Sequence, residues 1–447
     1  MARAADDDAP KPPEWLPADS IGRTLPGIAD PTGLRQALWT KGIKFQLNYI
    51  EEVIGVVDGG INRRTREGGR LEFAVDADLE KLFGWKGATV HANLYSIHGY
   101  GTTPNDIDSI APISSVEAMP ATRLFEAWIE QKFFDDKASI RIGQLAADTE
   151  FLTSNYAGLF ASGTFGWATL PAADLPSGGP AYPLATPAVR LSYAATDNLK
   201  FLLGVFNGDP AGPGIDDPQK RNNDGLSFRL RDPALIIGEM QFTYGDAKSP
   251  QGLSGTFKLG GYTHLGKFDD VRFDTNGVPL ASPASNGVPY SHRGDEAIYA
   301  VLDQQIYRLP GDDPTKGIGV FGRFAVAPAD RNLVDFYADG GINFSGMLPI
   351  RPDDTFGVAV GYTHISNAVS GFDQDTNLFT GVLGPVQSSE VMIEGTYSAQ
   401  IVTGLTFQPY LQYIVRPSGG EADPNDPTGT RRIGNATVVG FRTTLKY

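Results

Sequence analysis

Polar and apolar residues alternate along most of this chain with a period of two. The first run sets Ile43, Phe45, Leu47 and Tyr49 against Lys44, Gln46 and Asn48. The second sets Leu71, Phe73, Val75, Ala77 and Leu79 against Arg70, Glu72, Asp76 and Asp78. Successive side chains of a strand point to opposite faces, so each run predicts a strand with one apolar and one polar side. A half-buried soluble strand has the same signature, and recurrence is what separates the two readings. Further runs cover 88–99, 122–133, 138–146, 187–195, 199–207, 225–231, 235–245, 255–268, 296–308, 317–328, 336–347, 354–366, 389–401, 405–415 and 436–447. That makes about seventeen, whereas a closed single-chain bacterial barrel takes an even number. Leu226, Phe228 and Leu230 share parity with Ile236, Met240, Phe242 and Tyr244 across Asp232-Pro233, and a one-residue slip would flip the faces. Merging 225–245 into one kinked strand gives about sixteen.

The connections then alternate. Long ones fall at 58–69, 101–121, 147–186, 208–224, 269–295, 329–335, 367–388 and 416–435, and short ones at Asp135-Asp136-Lys137, Thr196-Asp197-Asn198 and Val402-Thr403-Gly404. Long loops on one side and tight turns on the other are the arrangement of an outer-membrane barrel. The expected fold is all-β, a transmembrane antiparallel barrel of about sixteen strands whose outward faces are apolar and end in aromatic girdles. Tyr49, Tyr244, Tyr397, Tyr413 and Tyr447 suit the girdles, and Pro409 inside a strand calls for a bulge. Residues 1–41 are read as a flexible acidic, proline-rich leader plus a short periplasmic helix starting at Asp30-Pro31-Thr32, with Leu34, Leu38 and Trp39 on one side. Residues 42–447 form the barrel domain.

The third long connection stands apart. It carries Tyr156, Phe160, Phe165, Trp167, Tyr182 and the run Asp174-Leu175-Pro176-Ser177-Gly178-Gly179-Pro180, enough apolar and turn residues to pack along a bent path. It is expected to fold into the lumen and narrow it, so that removing 152–180 raises conductance.

Composition removes alternatives. The chain has 447 residues and no cysteine, so disulfide scaffolds and thiolate metal sites are excluded. Its five histidines show no His-x-x-x-His spacing, and no cofactor is expected. A net charge of -15 argues against nucleic acid as a partner and against a pore for bulk anions. No stretch approaches the roughly twenty apolar residues of a membrane helix. The slightly negative mean hydropathy suits a barrel, whose lipid-facing and lumen-facing residues average out. Met1-Ala2-Arg3-Ala4 holds an Ala-x-Ala spacing, consistent with a signal peptide absent or removed.

Parity places Arg70, Arg141, Arg190, Arg229, Arg323 and Arg442 inward with Glu72, Asp76, Glu126, Glu130, Glu239, Asp339, Glu390 and Glu394. A lumen of mixed sign offers a dense set of paired hydrogen-bond donors and acceptors. For each wall charge the competing reading is a cross-strand ion pair. The candidate constriction and solute-contact residues are Arg141, Asp148, Glu150, Trp167, Arg190, Glu126, Trp128, Arg70 and Glu72, with Trp128 and Trp167 as stacking platforms.

Gly143-Gln144-Leu145-Ala146-Ala147-Asp148-Thr149-Glu150-Phe151, Leu170-Pro171-Ala172-Ala173-Asp174-Leu175-Pro176, Asn222-Asn223-Asp224-Gly225-Leu226-Ser227-Phe228-Arg229, Pro328-Ala329-Asp330-Arg331-Asn332 and Tyr337-Ala338-Asp339-Gly340-Gly341 resemble segments of the carbohydrate-selective porins of OprB type. The resemblance covers about 30 to 447. It implies a sixteen-stranded barrel in the outer membrane of a Gram-negative bacterium, passive diffusion of small sugars, and a third outer loop folded into the channel. This chain has Asp30-Pro31-Thr32-Gly33 where the family usually carries a Trp-Gly-Gly turn. The expected partners are small sugars and outer-membrane lipid, with homotrimer and monomer both open. A general or ion-selective porin is the alternative. An outer-membrane hydrolase is disfavoured, because His91 has no Gly-x-Ser-x-Gly nucleophile to serve.

Overall fold

A computed structural model describes residues 14–245, 252–311 and 313–447. Sixteen antiparallel strands close into one barrel: β1 Ile43–Gly60, β2 Thr65–Asp78, β3 Ala88–Gly99, β4 Ala121–Phe133, β5 Ala138–Leu145, β6 Thr186–Ala194, β7 Leu199–Asn207, β8 Ala234–Tyr244, β9 Gly255–Asp274, β10 Pro289–Arg308, β11 Gly317–Val326, β12 Val334–Ser345, β13 Thr355–Ile365, β14 Ser389–Val402, β15 Leu405–Val415 and β16 Gly434–Lys446. Each strand pairs with its sequence neighbours, and β1 closes on β16 with Val53 opposite Phe441. Closure leaves no unpaired edge, which is what hydrocarbon requires of a sheet.

The alternation read from the sequence is the inside-outside alternation of this wall. Leu71, Phe73, Val189, Leu191, Ile142, Phe324, Phe407 and Phe441 are exposed on the outer face, while Glu52, Glu126, Arg190, Glu239, Arg323 and Glu394 are buried on the inner one. Phe83, Trp85, Phe133 and Phe134 are exposed beside the short turns, as a girdle at that rim requires. Among the described residues no helix is long and apolar enough to cross a membrane, so strands do the crossing.

Several boundaries differ from expectation. The stretch 225–231 is not part of β8, which begins at Ala234. Sixteen strands form without the kinked merger, because 225–231 leaves the sheet altogether. Instead the Leu124 amide donates to Asp224 O (2.9 Å) and Gln144 Nε2 donates to Gly225 O (2.9 Å), so the fourth long loop straps back to β4 and β5. Leu226, Phe228 and Leu230 stay exposed, the last two lining an apolar groove with Ile142, Val189 and Val205. Their shared parity is that of apolar side chains left on the outer surface, not of a ladder. The first connection is tight, since β1 and β2 extend to Gly60 and Thr65. Pro409 stays in register opposite Phe441 with no bulge, and the β14–β15 ladder is interrupted between Thr396 and Ala399.

The helix at the turn end spans Leu34–Thr40. Asp30 caps it from a distance, accepting from the Arg35 and Gln36 amides (3.1 and 2.9 Å), and Gly33 supplies the positive φ of the N-cap. Its buried residue is Arg35, stacked over Phe45 and Tyr447 (4.6 and 4.4 Å), while Leu34 is exposed. From Glu14 onward the preceding segment lies against the same rim: Thr24 donates to Thr403 O and Tyr447 to Ile28 O (3.0 and 2.8 Å).

Candidate functional site

Two loops enter the barrel. The third, residues 146–185, crosses to the far wall, where its backbone is met by charged side chains. Glu239 on β8 accepts from the Leu152 amide (2.7 Å), Asp303 on β10 from Asn155 (2.9 Å), and Glu394 on β14 from Ala161 and Ser162 (2.6 and 2.9 Å). Arg323 on β11 donates to the carbonyls of Leu152, Thr164 and Gly166 (3.1, 2.8 and 2.8 Å) while paired with Asp339. An irregular loop inside a barrel must find partners for its amides and carbonyls, and these wall charges are those partners. Gly319 on β11 allows the closest approach, since a Cβ there would stand 2.1 Å from the Tyr156 ring.

The second long loop, residues 100–120, enters beside it, a participant that the sequence reading missed. Glu390 accepts from the Ile110 and Ala111 amides (2.9 and 2.8 Å), and Gln412 donates to Ile113 O (2.8 Å). Arg442 on β16 ties both loops, donating to Ser115 Oγ and Ala161 O (3.1 and 3.2 Å) while held by Glu52 (2.8 Å). The signal available was weak, because Ile110, Ile113 and Val116 are too few to set this loop apart from a surface one.

The wall from β2 to β6 carries two further clusters of inward side chains. Arg141 and Arg190 alternate with two carboxylates, Glu130 on β4 and Glu150 at the root of the third loop. Arg190 reaches Glu130 and Glu150 at 2.8 and 2.6 Å, and Arg141 reaches them at 3.3 and 3.6 Å. The Arg141 guanidinium lies 3.8 Å from the centre of the Trp128 ring, which stacks on His91 at 5.0 Å, and His91 meets Asp76 at 2.8 Å. Trp128 Nε1 and Arg141 Nε have no protein partner.

Toward the loops lies a cavity of about 290 Å³, lined by Arg70, Tyr95, Ser114, Glu117, Asp148, Trp167 and Tyr182 among others. Arg70 sits over Tyr95 and Tyr182 (4.4 and 5.1 Å). Asp148 accepts from the Tyr182 amide (2.9 Å) and leaves Oδ1 unpaired. Burial pushes its carboxyl up to about 6, against the pull of that amide and of Arg70. Trp167 is fixed by a bond from Nε1 to Gly178 O (3.1 Å).

Of the nine candidates, Arg141, Glu150, Arg190 and Trp128 come together in one cluster, and Arg70, Asp148 and Trp167 in the other. Glu72 accepts from Asn93 and Asn48 (3.0 and 3.2 Å) on the same wall. Glu126 is buried at the base of the third loop, accepting from the Ala146 amide (3.0 Å). Arg229, expected inward, is not on a strand; it pairs with Asp232 inside the fourth loop (2.6 Å). Among the described residues one group of three His and carboxylate side chains lies close enough to share a metal, Glu51, Glu67 and His98, and its parity places it on the outer face beside Val53, Leu71 and Leu94.

A closed sixteen-stranded barrel with an apolar outside and two loops narrowing a charged lumen is an outer-membrane channel. The family model described as carbohydrate-selective porin, OprB family, matches residues 62–447, and the chain belongs to that family. Porin B of Pseudomonas aeruginosa is 25% identical over 434 residues, covering 93% of this chain and 90% of the relative. A putative porin of Acinetobacter baylyi, QuiX, is 21% identical, covering 94% and 92%. The high-pH structure of Pseudomonas putida OprB has the same fold, with TM-score 0.80 and 24% identity over 94% of this chain and 97% of that one. The protein is an outer-membrane sugar porin of a Gram-negative bacterium.

Proposed function

We propose that sugar passes along the β2–β6 wall, meeting the Arg70–Asp148–Trp167 cavity and then the Arg141–Trp128–Arg190 strip. The observation that carries this reading is the division of the lumen. The charges of β8, β10, β11 and β14 are buried under loop backbone, whereas Trp128, Arg141, Arg70 and Asp148 stay partly exposed. A sugar hydroxyl both donates and accepts, so it can bond to guanidinium and carboxylate alike. Arg141 covers part of the Trp128 ring, so a pyranose is gripped at the ring's free edge and by the guanidinium together. Opposed charges bind loosely, which release at the far side requires.

On this reading the chain acts as a channel, with His91 part of the wall, bonded to Asp76 and stacked on Trp128. The test is single-channel conductance in a planar bilayer while glucose and then phosphate are titrated. Saturable block by glucose alone, weakened several-fold in Trp128→Ala and Arg141→Gln, is the expected result. Block by phosphate at equal concentration would favour the ion-selective alternative. Glucose block unchanged in both variants would move the solute path off this wall.

A further inference from the structure

The third loop ends its helical turn Thr169–Asp174 against the loop-side half of the opposite wall, in a nest of unsatisfied oxygens. Asp174 Oδ1 accepts from the Val334 amide (3.1 Å), and its Oδ2 has no partner. Two residues before Val334, Asn332 donates through Nδ2 to Asp295 Oδ1 on β10 (2.7 Å). The two carboxylates therefore bracket one short segment. Asp295 Oδ2 and Asn332 Oδ1 are also unpaired, in residues 0% and 1% exposed. Tyr262 on β9, 6% exposed, faces inward opposite Ala297, two positions along the same face from Asp295, and its hydroxyl is unpaired as well. The charged groups that act on this hydroxyl are Asp174 and Asp295.

Four oxygens on neighbouring residues of this patch thus lack partners, three of them pure acceptors. Two carboxylates taken out of water cost several kcal/mol per ion unless a cation pairs with them. The Arg331 guanidinium lends Asp295 its charge but donates its hydrogen bonds to Asp330 (2.8 Å) and to Gly294 O (2.8 Å). Burial and the like charges of Asp295 and Asp335 push the Asp174 carboxyl well above the usual carboxylate range. A second hydrogen-bond donor would answer one orphan. A hard cation answers all of them, because it takes oxygen ligands from carboxylates, amide carbonyls and water without needing sulfur or nitrogen.

We infer that Asp174, Asp295, Asn332 and Tyr262 enclose a calcium site that pins the helical turn of the third loop to β9, β10 and the β11–β12 connection. Ca2+ fits better than Mg2+, since carboxylates and an amide drawn from three elements form an irregular shell and Mg2+ demands a near-octahedral one. The site goes beyond sugar passage and does not depend on where sugar binds.

The test uses the full chain refolded in detergent, stripped with EDTA, dialysed, and titrated with Tb3+ under tyrosine excitation. Saturable sensitised emission, displaced by Ca2+ and not by the same concentration of K+, is expected. Asp174→Asn/Asp295→Asn should weaken Ca2+ binding by about tenfold or more. Tyr262→Phe should lose most of the emission while calorimetry still finds Ca2+ bound. Emission and affinity unchanged in the double variant would overturn the site and assign the ion elsewhere, the outer-face cluster of Glu51, Glu67 and His98 included. No Ca2+ bound by wild type would also overturn it, leaving a proton held between the two carboxylates. If the double variant does not refold, wild type decides: a melting temperature unmoved by Ca2+ after EDTA refutes the site, and a rise that Asp295→Asn alone abolishes supports it.

Discussion

Asp148 is the side chain whose charge state most directly alters the aperture. It shares a cavity of about 290 Å³ with Arg70, and burial lifts it to about 6. Above that pH the carboxylate offsets the guanidinium, and below it Arg70 stands alone at the mouth. Cation preference, read as the reversal potential in a KCl gradient, should therefore fall as pH drops through about 6. Asp148→Asn should hold the low-pH value throughout. A wild-type curve surviving in this variant would place the titration on another group. Stability carries the opposite sense from an ordinary ion-paired carboxylate. The native state binds this proton more tightly than the unfolded chain, so stability falls as pH rises from the ordinary aspartate pKa of 3.8 to about 6. Asp148→Asn should flatten the slope in a urea titration across that window. Parity was enough to put Arg70, Arg141 and Arg190 on the inner face, because strand periodicity fixes facing. It could not tell Trp128, left open to solute, from Glu126, folded under a loop, since both point inward and differ only in what a distant segment does.

The third loop behaves as a part of the wall. Arg323 alone binds three of its carbonyls and Asp339, out of solvent. Removing one partner of such a buried network costs about 3–5 kcal/mol. Arg323→Met should release the loop, giving noisier and larger conductance steps and weaker sugar block, with the heat-modifiable barrel band retained. Steps as quiet as wild type would mean that Glu239, Asp303 and Glu394 hold the loop unaided. Gly319→Val is a gentler probe, since the added carbons meet the Tyr156 ring. It should shift the loop toward the β2–β6 wall and lower conductance. Deleting 152–180 would strip Glu239, Asp303, Glu394 and Arg323 of their partners at once, so point variants separate constriction from stability more cleanly. The loop was legible because its aromatic content and length are abnormal for a connection. The second loop was not, because its anchors are Glu390, Gln412 and Arg442, far away in sequence. The stretch 225–231 misled for a related reason: apolar residues left on the outer surface by a strap repeat with the same parity as a strand.

Across the whole molecule, net charge and pore charge are different quantities. The chain carries -15, but much of that sits in carboxylates that cap loop amides or lie on exposed turns. The wall from β2 to β6 presents Arg70, Arg141 and Arg190 against Glu72, Asp76, Glu130, Asp148 and Glu150, three positive groups against five negative. On the proposed path, an excess of two negative charges should give a modest cation preference, and interleaved opposite charges cancel most of the field a few ångströms away. The Debye length shrinks from about 10 Å at 0.1 M salt to about 3 Å at 1 M, so this preference should fade steeply with ionic strength. Sugar block rests on stacking and hydrogen bonds at contact distance and should change little over the same range. Measuring reversal potential and glucose block together at the two salt concentrations separates these contributions. Block that collapsed in parallel with selectivity would mean that long-range electrostatics, rather than the Trp128–Arg141 contact surface, holds the solute.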